Sequence, residues 1–158
     1  MKAAIVMGSK SDYPTVKKAE EVFASFGVEF ETRILSAHRT PHAAAAFSEG
    51  AEAAGFDVII AAAGKAAHLA GVMAASTVLP IIGIPMKSSF MDGMDSLLST
   101  VQMPKGIPVA TVAVDGAENA ALLAIQMMGI KHPELREKMR AYKQKMNDDI
   151  LATSVMSN

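Results

Sequence analysis

No cysteine occurs anywhere in the 158 residues, which excludes disulfides, thiolate nucleophiles and thiolate metal sites. Charge is scarce as well as balanced. Lys and Arg number 15 against 16 Asp and Glu, so no excess of either sign argues for nucleic acid or an anionic membrane surface as a partner. No run approaches the roughly 20 apolar residues needed to cross a bilayer. The opening Met1-Lys2-Ala3-Ala4-Ile5-Val6-Met7 is too short for a signal peptide, and Gly8 interrupts it. A cytoplasmic protein is the expectation. Two phosphate-binding signatures are also missing: neither a Walker loop nor G-x-G-x-x-G is present. No G-x-S-x-G elbow surrounds Ser9 or Ser11. Aromatics make up only 5% of the chain, few for sandwiching a flavin ring.

What is present is apolar. Hydrophobic residues make up 51% of the chain, twelve methionines among them, and charged residues only 20%. A quarter charged would be usual for one domain of this size. Subunit contact would account for the shortage, because obligate interfaces resemble a core cut in half.

Strand and helix signals alternate along the chain. Ala3 to Met7 reads as a buried strand, and Val16, Ala19, Val22, Phe23 and Phe26 recur at helical spacing before Gly27. Val28, Phe30, Thr32 and Ile34 alternate as a second strand. A helix is expected from Pro41 to about Ala54, a third strand over Val58 to Ala63, and a short helix from Leu69 to Ser76. Leu79 to Ile84 reads as a fourth strand closed by Pro85, Met86 to Gly93 as loop, and Met94 to Val101 as a helix. Ile107 to Val114 would be a fifth strand and Asn119 to Met128 a helix. From Pro133 to about Leu151, Leu135, Met139, Tyr142, Met146 and Ile150 form one thin apolar seam on a charged helix. That seam suits either the chain's own sheet or a neighbouring subunit. The alternation implies an α/β domain over residues 1–158, with a parallel sheet of about five strands covered on both faces.

Ligands of such sheets bind beyond the carboxyl ends of the strands, where strand order reverses. Three segments leave the first three strands there. Gly8-Ser9-Lys10-Ser11-Asp12 offers hydroxyls and a carboxylate for a phosphate or ribose, although taken alone a helix cap at Ser11 or Asp12 is the plainer reading. Ser36-Ala37-His38-Arg39-Thr40-Pro41 places an imidazole, a guanidinium and a hydroxyl at a helix mouth, with Pro41 suited to the first helical position and Thr40 to capping. The positive helix end attracts an anion and disfavours imidazolium, which predicts His38 as a neutral base. A capping turn with two exposed polar side chains is the plainer alternative. Gly64-Lys65-Ala66-Ala67-His68 is small enough for close approach to a ligand, and His68 is a second candidate. His38 and His42 stand four apart with a helix start between them and no third ligand, so no metal is expected.

Together these segments resemble the N5-carboxyaminoimidazole ribonucleotide mutases of purine biosynthesis. The likeness covers nearly the whole chain and rests on ordered motifs. They are Met7 to Asp12, Ser36 to Pro41, Ala66-Ala67-His68-Leu69, Gly93-Met94-Asp95-Ser96-Leu97-Leu98-Ser99, Val101-Gln102-Met103-Pro104 and Asn119 to Ala124. The resemblance implies a three-layer flavodoxin-like domain, a homo-octamer, no metal or organic cofactor, and a ribonucleotide substrate with CO2 as a trapped intermediate. It implies His38 as acid/base, Arg39, Ser11 and Ser36 (with Ala37 beside it) at the phosphate, Ser9 also on the substrate, and Asp12 at the ribose. Gly64, Lys65, Ala66, His68 and Leu69 would close over the imidazole and carboxylate. A related branch, the aminoimidazole ribonucleotide carboxylases, uses free CO2; it carries Lys where Arg39 stands and Ser-Asn in place of Ala67-His68. Both markers favour the mutase. Lys65 departs from the family's usual Gly, and Ala70 from a frequent Pro. A non-catalytic binding or signalling module on the same fold is the remaining alternative, but a receiver needs an acidic cluster where Met7-Gly8-Ser9 stands.

Overall fold

A strand with apolar side chains on both faces must be covered on both faces, and three segments of this chain have that character. In the computed structural model, which describes residues 1–154, they form the centre of a five-stranded parallel sheet. The strands are β1 (Lys2–Met7), β2 (Glu29–Ile34), β3 (Val58–Gly64), β4 (Ile81–Met86) and β5 (Ala110–Thr111). Their order is β2-β1-β3-β4-β5, the flavodoxin-like arrangement that the resemblance implies. The helices are α1 (Tyr13–Phe26), α2 (Pro41–Ala51), α3 (Leu69–Ala74), α4 (Met94–Val101), α5 (Ala117–Met128) and α6 (Pro133–Ala152). Single 3₁₀ turns at Lys10–Asp12 and Met91–Gly93 lead into α1 and α4.

Alternation along the strands divides the core in two. Ala3, Ile5 and Met7 of β1 pack with Val16, Ala19 and Phe23 of α1 and Ala120, Ala124 and Ile125 of α5. Ala4 and Val6 face the other way, toward Ala44 and Ala51 of α2 and Leu69 and Met73 of α3. Helix α4 lies on this second face, and it comes so close that Gly83 of β4 has room for no side chain. A methyl group there would run into Thr100 of α4 and stand 3.1 Å from Val109.

Several boundaries differ from the sequence expectation. Helix α2 stops at Ala51, not Ala54, and residues 52–55 form a turn closed by Gly55 at φ 81°. Helix α3 ends at Ala74 rather than Ser76, and α5 begins two residues early at Ala117. Strand β4 runs through Pro85 to Met86 instead of ending before it. Pro85 pairs with Ala63 of β3, and its carbonyl, on the opposite edge, accepts from Asp115 N–H, so its missing donor falls where pairing with β5 has ended. The expected fifth strand, Ile107 to Val114, shrinks to two residues. Pro108 has no N–H to offer before it, and Pro85 has none to offer after it.

The seam of α6 divides along its length. Leu135 and Met139 are buried and Tyr142 packs on Phe26 at 5.8 Å between ring centroids, whereas Met146, Ile150 and Leu151 are exposed. Lys138 donates to the Phe26 carbonyl at 2.6 Å, a cation on the last turn of α1. The chain's own fold therefore takes only the proximal half of the helix, by way of α1 and α5. Among the described residues no helix is long and apolar enough to cross a membrane.

Gly83→Ala should destabilise the protein by about 1–3 kcal/mol, as overpacking of a close contact does, and urea unfolding with an unchanged m-value measures it.

Candidate functional site

Strands β1 and β3 are neighbours, yet the helices that follow them lie on opposite faces of the sheet. Their departing loops part and leave a crevice at the carboxyl edge, a cleft of about 630 Å³. The first loop contributes Ser9, Ser11 and Asp12, the second Ser36, Ala37, His38 and Arg39, and the third Gly64, Lys65, Ala66, His68 and Leu69. Every residue that the resemblance assigns to the substrate therefore lines one cleft. Ala67, buried beneath the third loop, does not, nor does His42. Among the described residues no group of three or more His, Asp or Glu is placed to hold a metal ion.

The imidazoles of His38 and His68 meet across the cleft, with Nε2 of His38 2.8 Å from Nδ1 of His68 and the rings nearly perpendicular. A hydrogen bond of this length needs one nitrogen with its proton and one without. The pair therefore carries one shared proton at the contact and cannot hold protons on both facing nitrogens. His38 Nδ1 is left for a ligand, and His68 fixes the ring's orientation. Arg39 is tied down similarly. Its Nη2 donates to the Gly8 carbonyl at 2.6 Å and its Nε to Ser36 Oγ at 3.4 Å. The guanidinium thus bridges the first and second loops with further N–H groups to spare.

Two capping expectations are corrected. Thr40 occupies the N-cap of α2, but its hydroxyl makes no capping bond. It turns back instead, accepting from Ser36 N–H at 2.8 Å and donating to the Ser36 carbonyl at 3.1 Å. The second loop is thereby closed on itself. In the first loop the cap is neither Ser11 nor Asp12 but Ser9, whose Oγ accepts from Ser11 N–H at 3.3 Å and from Ser11 Oγ at 2.8 Å. Asp12, at the N-cap of α1, makes no capping bond, so its carboxyl is available to the cleft.

Burial pushes the Asp12 carboxyl above its ordinary range, against the opposing pull of hydrogen bonds from Ser11 and Ser9. The charge of Asp115 pushes the same way, and Arg39 pulls it back. Lys65 has φ 56°, a left-handed backbone that glycine adopts freely and lysine does not. Its carbonyl accepts from Ser99 Oγ at 3.4 Å.

The cleft has a fourth wall that sequence reasoning missed: Met86, Lys87, Ser88 and Ser89, at the end of β4. The rule that led to the other three loops applies equally to this strand. The sequence expectation places Met86 to Gly93 in the loop after the fourth strand but looks for ligands only beyond the first three.

A carboxyl with a raised pKa in the folded chain contributes stability below its unfolded value near 3.8 and loses that contribution as pH rises through the folded value. Ionised Asp12 is therefore a cost at neutral pH. Asp12→Asn should raise Tm at pH 7 while weakening ligand binding, and the Tm gain should disappear as pH falls below 3.8 in paired thermal melts.

Comparisons with known proteins identify the family. The sequence profile described as AIR carboxylase matches residues 2–149. An N5-carboxyaminoimidazole ribonucleotide mutase of Pyrococcus horikoshii is 57% identical over 142 residues, covering 90% of this chain and 80% of that protein. A protein of the same name from Vibrio cholerae is 51% identical over 96% of this chain and 95% of its own length. The crystal structure of Treponema denticola PurE superposes with a TM-score of 0.81 at 28% identity, covering 96% of this chain and 97% of that one. A match across the sheet, all four cleft walls and most of α6 leaves one assignment: the chain belongs to the AIR carboxylase family.

Proposed function

We propose that this chain is an isomerase of purine biosynthesis that interconverts N5-carboxyaminoimidazole ribonucleotide and 4-carboxy-5-aminoimidazole ribonucleotide. The observation that carries the reading is the adjacency of His38 and Arg39 on one loop. Both face a cleft that also holds Asp12 and the Gly64–Leu69 segment. Arg39, Ser11 and Ser36, with Ala37 beside them, hold the phosphate, Asp12 the ribose hydroxyls, and Ser9 a further part of the nucleotide. Gly64, Lys65, Ala66, His68 and Leu69 cover the imidazole and its carboxylate.

The chemistry needs one proton carrier. The carbamate C–N bond breaks, CO2 departs, and the bond's electron pair stays on the exocyclic nitrogen, which takes a proton from His38; the imidazole thus enters the cycle as the acid, and the neutral base expected at the helix mouth is its form after this transfer. The freed amino group then drives C4 to attack the trapped CO2, forming the new C–C bond. His38 recovers its proton from C4, so atoms and charge balance over the cycle. His68, hydrogen-bonded to His38, keeps the acid/base in one orientation through both transfers. Confinement of CO2 beside C4 supplies the remaining acceleration through proximity. No cofactor enters this scheme.

The same reading extends to assembly and location. The 158 residues act as one catalytic domain in a cytoplasmic homo-octamer. The exposed apolar side chains of α4 (Met94, Leu98, Val101) and α6 (Met146, Ile150, Leu151) support burial against other copies. Arg39 and the Ala67-His68 pair favour the carbamate substrate over a carboxylase working on free CO2. His68 supports it further, because its ring is the direct partner of His38.

The purified protein should consume carbamate nucleotide without added bicarbonate, measured by formation of the C4 carboxylate. Turnover confined to aminoimidazole ribonucleotide at high CO2 would replace the mutase with the carboxylase. Separately, His38→Asn should lower kcat by about 10²–10⁴-fold or more, with substrate binding and Tm near wild type. Retained turnover would remove His38 from the mechanism.

A further inference from the structure

The fourth wall of the cleft is held by a residue outside it. Strand β5 pairs with β4 only at Ile82↔Ala110 and Gly83↔Thr111, so among the described residues no strand lies beside the last residues of β4 on that edge. Asp115 takes the strand's place. Its backbone N–H donates to the Pro85 carbonyl at 2.9 Å, and its carboxylate Oδ1 accepts from the Lys87 N–H, also at 2.9 Å. One residue thus satisfies two successive positions on this edge, Pro85 of β4 with its main chain and Lys87 just after the strand with its side chain. The residue makes both contacts from a left-handed backbone, φ 56°, which Asp and Asn adopt more readily than other residues with a side chain.

The neighbouring residue secures the far end of the same loop. The side chain of Val114 lies against Gly93, where a Cβ would stand 2.6 Å from Val114 Cγ1 and 3.3 Å from Lys87 Cα, and Gly93 itself has φ 97°. Val114 and Asp115 therefore grip the 87–93 loop at both ends. Inside the loop, Ser88 bonds to the Asp95 carboxylate and to the Phe90 carbonyl. Its first three residues, Lys87, Ser88 and Ser89, line the cleft.

We propose that Asp115 is a positioning residue: by standing in for the missing end of β5, it holds Lys87–Ser89 in the shape that grips the nucleotide. It does not touch the reacting atoms. This role rests on the mutase reading only for its kinetic readout. The electrostatic influence of Asp115 on Asp12 places the residue beside the cleft without carrying the argument.

Two variants separate the acceptor from the charge and from backbone strain. Asp115→Gly keeps the left-handed backbone and removes the acceptor. Asp115→Asn keeps a side-chain oxygen acceptor at the same position and removes the charge. Loss of a hydrogen bond to a charged group predicts, for Asp115→Gly, a rise in KM for the carbamate nucleotide of about tenfold or more, with kcat within about threefold. Asp115→Asn should return KM to within about threefold of wild type. Hydrogen exchange at the Lys87 amide supplies a readout independent of activity, with protection lost in the Gly variant and kept in the Asn variant. Unchanged KM or unchanged Lys87 protection in Asp115→Gly would overturn the proposal. So would an Asn variant as impaired as the Gly variant, since charge rather than position would then be at work. Absence of turnover in the wild-type protein would count against the mutase reading instead, leaving the exchange experiment to decide the role of Asp115.

Discussion

Strands β1 and β3 lie side by side but send their helices to opposite faces of the sheet, and the site depends on that divergence. Two adjacent parallel strands whose following loops turned the same way would bury their carboxyl ends under one layer of helix. Here the loops separate, and a crevice opens between two strands whose own side chains are almost wholly apolar. The polar groups of the cleft therefore all come from loops. The sheet contributes rigidity and position, and the loops contribute chemistry.

Loops hold a site only if something ties them together. Three cross-loop contacts do so: His38 to His68, Arg39 to the Gly8 carbonyl, and Asp115 to the end of β4. Each uses a group that also has a chemical part to play or stands next to one. The imidazole that would move the proton is oriented by a second imidazole, and the guanidinium that would meet a phosphate is braced by a backbone carbonyl. Such support holds a site in register before any ligand arrives. Costs concentrate in the same place. Asp12 is half-buried against its preference for water, and Lys65 and Asp115 adopt backbone conformations that side chains disfavour. Local conflict of this kind is where stability yields to function.

The sparse charge of the chain has a visible counterpart on its surface. Apolar side chains of α4 stand exposed beside the cleft, and the distal half of α6 extends its seam past the end of the fold. A helix needs a partner for its whole apolar stripe, and α1 and α5 offer α6 a partner for its proximal half only. The assembly proposed above would cover both surfaces.

The alternation of apolar runs with helical periodicities determined the layer architecture, because period and length are local properties that tertiary packing seldom reverses. The rule that ligands gather at strand carboxyl ends then led to three of the four cleft walls. At β4 and β5 the sequence misled, and proline was the reason. Pro85 read as a strand terminator, yet it is tolerated because its missing donor faces an edge that β5 never reaches; Pro108 helps cut β5 to two residues. Neither outcome is a property of the local sequence, since each depends on which strand lies alongside. Thr40 likewise had the right side chain and position for a cap, but its hydroxyl found a better partner four residues back. Only the folded chain decided that His38 should meet His68, thirty residues away, and that Asp115 should complete a strand. Hydrogen bonds between distant segments are set by the three-dimensional path of the backbone, and a linear pattern records which groups are available without recording which of them will meet.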